Sequence, residues 1–148
     1  MRKVLVSVLF VLIVIVTYSV PILMQEGVCA EKYEVFANGK NVGGGVYLYG
    51  DTYMYETSEY NEKIAMNFGN VIGVSAKYKG DYDDFNKLIK KYGIAITKSE
   101  IIDNVHIVYG ISEKCGRCLV TDGNTVNIQV ALNGNNITVG TPLIMGSY

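Results

Sequence analysis

Leu119-Val120-Thr121-Asp122-Gly123-Asn124-Thr125-Val126-Asn127-Ile128-Gln129-Val130-Ala131-Leu132-Asn133-Gly134-Asn135-Asn136-Ile137-Thr138-Val139 decides the fold class, because it reads as successive β-hairpins. Asp122-Gly123 and Asn133-Gly134 each suit a type I′ turn, which needs positive φ at both central residues. Between them the run from Thr125 to Leu132 alternates, with Val126, Ile128, Val130 and Leu132 on one face and Asn127, Gln129 and Ala131 on the other. A period of two marks a half-buried antiparallel strand. A two-residue loop at Asn133-Gly134 sets Val130 opposite Ile137 and Ile128 opposite Val139. This meander is expected to floor the fold, and it carries no chemistry of its own.

Upstream of it the pattern alternates between strands and helices. A short strand is expected at Tyr33 to Phe36, then a glycine-rich lead-in through Gly43-Gly44-Gly45 to a strand from Val46 to Thr57. Tyr47, Tyr49, Tyr53 and Tyr55 line one face of that strand if it is unbroken, and divide between two faces if Gly50-Asp51 turns it. Those rings offer either an aromatic binding platform or ordinary cross-strand pairing. Ser58 to Phe68 reads as a short helix capped by Ser58, with Tyr60, Ile64, Ala65 and Phe68 in a stripe. Val71 to Lys79 is a strand. Asp81 caps a second helix whose stripe is Tyr82, Phe85, Leu88, Ile89 and Tyr92, and Gly93 ends it. Ile94 to Ile96 forms a short strand, and Ile101 to Ser112 another, broken near Asp103-Asn104.

The beginning of the chain sets the compartment. Met1-Arg2-Lys3 is positive, Val4 to Val16 is almost unbroken aliphatic, and the apolar character runs on to Met24. Val28-Cys29-Ala30 fits signal cleavage before Glu31, while residues 4–24 are long enough to span a bilayer, for which about 20 apolar residues suffice. Residues 1–30 are therefore a signal peptide or an N-terminal membrane anchor, and residues 31–148 form one domain that leaves the cytoplasm. The expected location is secreted, or held on the outer face of the cytoplasmic membrane.

Charge excludes one class of partner. The formal net charge is −1, with 13 basic and 14 acidic residues, and the densest cluster, Lys87, Lys90 and Lys91, suits the C-terminal end of a helix dipole. Nucleic-acid binding has no support in that pattern.

Chemistry has one candidate constellation, Lys114-Cys115-Gly116-Arg117-Cys118. With the leader removed, Cys115 and Cys118 are the only cysteines, a pair in an oxidising compartment. Such a pair can exchange disulfides, and Arg117 favours the thiolate; Gly140-Thr141-Pro142 even has the look of the Thr-Pro loop that faces the dithiol in thioredoxin-like oxidoreductases. That dithiol opens a helix, however, whereas Leu119 to Gly123 reads as strand and turn, so a local Cys115–Cys118 disulfide pinning a loop is preferred. His106, the single histidine, has no serine, cysteine or carboxylate spaced to serve it. Asp81-Tyr82-Asp83-Asp84 lacks the ligand spacing of a calcium loop. No metal or cofactor is expected.

Asn127-Ile128-Gln129-Val130-Ala131, followed by a hairpin and Gly140-Thr141-Pro142-Leu143-Ile144, resembles the C-terminal signature of the YwmB family of exported Firmicute proteins, an N-[IL]-[NQ]-[IV]-A strand and a G-T-P-[LI]-I close. The resemblance implies a TATA-box-binding-protein-like α+β fold with no DNA activity, and it carries no catalytic residue. Cys115 and Cys118 are no part of the family pattern. The expected architecture is an antiparallel β-sheet with two helices packed on one face. The leading function is a non-enzymatic cell-envelope protein that binds a protein or glycan partner through its sheet, Tyr47, Tyr49, Tyr53 and Tyr55 being the candidate contacts. The alternative is an extracytoplasmic thiol-disulfide oxidoreductase using Cys115 and Cys118.

Overall fold

A computed structural model describes residues 30–148. The leader or anchor expected over residues 1–30 lies outside the described residues but for Ala30. No helix among the described residues is long and apolar enough to cross a membrane.

The strands are β1 (Lys32–Asn38), β2 (Val46–Tyr49), β3 (Thr52–Thr57), β4 (Asn70–Lys79), β5 (Ala95–Ile102), β6 (Val105–Ile111), β7 (Leu119–Thr121), β8 (Asn124–Val126), β9 (Ile128–Asn133) and β10 (Asn136–Thr141). The helices are α1 (Glu62–Ala65), which runs into a 3-10 turn at Met66–Phe68, and α2 (Tyr82–Tyr92). Eight strands form one antiparallel sheet in the order β2-β3-β1-β4-β10-β9-β6-β5, and β7 pairs with β8 alone. The class is α+β.

The sheet has two different faces. On the first, the row Tyr33, Ala76, Val139, Val130 and Val108 runs in register across five strands. These residues share one core with Phe85, Leu88 and Tyr92 of α2, and with Tyr60 and Ala65. Burying a Val side chain contributes about 1.5–3 kcal/mol, and Val139, Val130 and Val108 of this row are all buried. On the second face, the next row reads Glu34, Ser75, Gly140, Gln129 and Tyr109. That row is polar, and its cover is the chain's own end.

Several expectations are corrected. The strand expected from Thr125 to Leu132 is two, β8 and β9, because Asn127 turns its side chain into a buried hydrogen-bond network instead of continuing the ladder. Its partner register is displaced by two residues: Val130 faces Val139, and Leu132 faces Ile137. The central pair of that turn is Gly134-Asn135, with positive φ at Gly134 but not at Asn135, so it is not type I′. A shift of two keeps each side chain on its face. The first helix starts at Glu62 rather than Ser58, and Asn61, not Ser58, accepts the Ile64 amide (3.0 Å). The strand expected from Ile101 to Ser112 is a hairpin, since Asp103 and Asn104 both take positive φ and turn β5 into β6.

The second helix matches its sequence. Asp81 accepts from the Asp83 and Asp84 amides, the Asp84 carboxylate accepts from the Asp81 amide, and Gly93 closes the C-terminus in the left-handed region. Phe85, Leu88 and Tyr92 are buried, while Tyr82 swings to the surface edge-on to His106 (5.5 Å).

Candidate functional site

The Cys115 loop sits where β6, β9 and β10 meet. Asn127, 2 % exposed, receives the Ser112 amide on Oδ1 and donates from Nδ2 to the carbonyls of Ser112 and Cys115, each at 2.8 Å. Thr141 Oγ1 donates to the Asn127 carbonyl (2.7 Å), and Ser112 Oγ donates to the Tyr92 carbonyl. The loop is thus held by the Asn127 side chain, with Ser112 and Thr141 completing the network. Cys115 is buried and Cys118 exposed, both as free thiols. Burial pushes the Cys115 thiol up, against smaller lowering contributions from Thr141 and Ser112. Thr141 lies beside Cys115, but no helix begins at Cys115. A buried, protonated first cysteine is poorly suited to nucleophilic attack.

The four tyrosines separate. The chain turns at Gly50-Asp51, so Tyr47 pairs with Tyr53 across β2 and β3, edge to face at 5.9 Å. Tyr47 and Tyr49 are each 60 % exposed. Tyr55 goes into the core against Phe68, and its hydroxyl donates to Asn41 Oδ1 (3.3 Å) and accepts from the Val42 amide (3.3 Å). Only Tyr47, Tyr49 and Tyr53 are left for an external contact.

A third constellation was not foreseen. After β10, residues 143–148 double back as a strap over the second face. The Ile144 amide donates to Gln129 Oε1 (2.9 Å), Gln129 Nε2 donates to the Tyr148 hydroxyl (3.3 Å), and Lys77 Nζ donates to the Ser147 carbonyl. Glycines make room for it: a Cβ on Gly140 would lie 2.5 Å from the Ile144 nitrogen, and one on Gly146 would lie 2.7 Å from Glu34 Oε2. Beside the strap is a cavity of about 350 Å³ lined by Glu31, Lys32, Glu34, Lys77, Lys79 and Asn136, with Tyr148 at its rim. Glu34 is 6 % exposed, 3.6 Å from both Lys32 and Lys77. Among the described residues, none donates a hydrogen bond to Glu34 Oε2 or Ser75 Oγ.

No family model, curated protein or solved structure matches this chain.

What it does must be read from these three places. The sequence signal for the third was present: Glu34 sits between Tyr33 and Val35, and Lys77 between Ala76 and Tyr78, so alternation put them on the face away from the apolar row. Among the described residues no group of three or more His, Cys, Asp or Glu is placed to hold a metal ion.

Proposed function

We propose that the protein is a non-enzymatic, exported envelope protein that binds an extended segment of a protein partner along β2. The observation that carries this reading is the exposure of all four residues of that edge strand, Val46, Tyr47, Leu48 and Tyr49. An edge strand offers unpaired backbone groups to an added strand, and tyrosines supply contact area at low entropic cost. The bulge at Leu48 shortens the regular ladder, so the rings of Tyr47, Tyr49 and Tyr53 supply much of the grip. Export rests on the basic start and apolar run of residues 1–24. The finer architecture belongs to the same proposal: both helices on the first face of a TATA-box-binding-protein-like sheet, and membership of the YwmB family. Its support is the single core shared by Tyr60, Ala65, Phe85 and Leu88, together with the Gly140-Thr141-Pro142-Leu143-Ile144 close.

The test is selection of peptides from a random display library against the purified protein. Apolar, strand-forming peptides are expected to bind, and the double variant Tyr47→Ala/Tyr49→Ala to weaken them about tenfold or more. Peptides that bind the double variant unchanged refute the edge site, and oligosaccharides that bind through the same tyrosines transfer it to a glycan. The rival, thiol-disulfide exchange through Cys115 and Cys118, requires reductase activity toward a protein disulfide that Cys115→Ser abolishes. The raised Cys115 thiol weighs against it.

A further inference from the structure

We infer that the cavity between β1, β4, β10 and the strap binds a neutral saccharide unit. This goes beyond the β2 reading and stands on different residues. A cavity of about 350 Å³ is within the range that encloses a small ligand. Its anchor is Glu34, whose carboxylate is buried yet accepts no hydrogen bond on Oε2 from any described residue. A buried carboxylate oxygen costs free energy until an N–H or O–H donor reaches it.

The rest of the lining selects the donor. Lys32 and Lys77 already flank the carboxylate at 3.6 Å, and the wall sets three lysines against two glutamates. Added cation therefore meets ammonium groups, and added anion meets Glu31 and Glu34. Donors and acceptors alternate over a short distance: ammonium groups donate, carboxylates accept, and the Asn136 amide does both. A fully ionised phosphate only accepts, and an ammonium only donates. Adjacent hydroxyls on a sugar ring do both, carry no charge, and present an apolar ring face to the Tyr148 ring. The strap passes close to Glu34 at Gly146, where a Cβ would meet Oε2 at 2.7 Å.

The experiment is amide-detected NMR titration of the purified protein with triacetylchitotriose, with maltotriose, with N-acetylglucosamine and with inorganic phosphate. A trisaccharide is expected to shift the amides of residues 31–34, 77–79, 136–138 and 146–148. Glu34→Gln should weaken it about tenfold. Asn136→Ala, at the exposed wall, should weaken it without disturbing the buried ion pairs. Tighter binding of the trimer than of N-acetylglucosamine assigns the site to a polymer; equal binding assigns it to a free sugar. The inference is overturned if no sugar moves these amides, if phosphate alone does, or if both variants bind as the parent protein does. Tyr47→Ala/Tyr49→Ala should leave saccharide binding intact, so failure of the edge reading and failure of this one are separately visible.

Discussion

Asn127 joins three segments: its buried side-chain amide bonds to Ser112 after β6 and to the Cys115 loop, and its backbone carbonyl accepts from Thr141 at the end of β10. Asn127→Ala removes the partner of the buried Ser112 N–H and of the Cys115 carbonyl, while the Ser112 carbonyl keeps the Cys115 amide. The expected cost is about 3 kcal/mol or more, read as a lowered urea midpoint, whereas Asn124→Ala on the surface should change it by less than about 0.5 kcal/mol. Equal effects would show that the network contributes nothing. The two thiols should also differ, since one is buried and its neighbour is not. In the reduced protein, alkylation is expected at Cys118 well before Cys115, which peptide mass mapping can read. At this scale the sequence placed Asn127 on the polar face of a strand and no more, because Asn127 bonds to groups more than ten residues away. Periodicity assigns a side chain to a face, and only the closed structure decides what meets it there.

Elements were most legible where the chain itself supplies the signal. The acidic start, apolar stripe and terminal glycine of α2 each act within a few residues, and the helix has the expected ends. Asp81→Ala should therefore cost about 1 kcal/mol, measurable by chemical denaturation; no change would mean that tertiary packing alone defines the helix start. Turns were half legible. Asp122-Gly123 takes positive φ at both positions as expected, yet Asp103-Asn104 does the same without a glycine, and Asn133-Gly134 does not. Cross-strand packing chose among turns that local preference permits. The strap was not legible, because nothing local in Leu143-Ile144-Met145 says which face it covers. Gly140→Ala tests its seating: the new methyl meets the Ile144 backbone at 2.5 Å, so amides of residues 143–148 should lose hydrogen-exchange protection. Unchanged protection would place the strap elsewhere.

Across the whole molecule, buried phenols set an upper limit on the pH range of the fold. Burial pushes Tyr92 up to about 12, with the Tyr78 hydroxyl at 3.1 Å only partly offsetting it. Burial likewise raises Tyr60, and burial with the Glu100 hydrogen bond raises Tyr109. Unfolded tyrosines ionise near pH 10, so above that value the unfolded chain releases protons that the native protein retains. Stability is thus complete below about pH 10 and falls as pH rises toward about 12, by roughly 2–3 kcal/mol for Tyr92 alone. Urea midpoints at about pH 8 and about pH 11 should differ in that direction, and Tyr92→Phe should narrow the difference; coincident midpoints would mean these rings reach water in the folded state. Composition and alternation revealed the α+β class and put Glu34 and Lys77 on the second face, but they could not reveal that this face is closed by the chain's own end. Lys77 brings residues 31 and 147 together there: its carbonyl accepts the Glu31 amide at 2.8 Å, and its ammonium holds the Ser147 carbonyl. The domain is therefore nearly a ring. A short linker could join residues 31 and 148 and move the termini to Gly134-Asn135 without crossing the core, whereas a tag fused after Tyr148 would emerge at the cavity mouth and obstruct it.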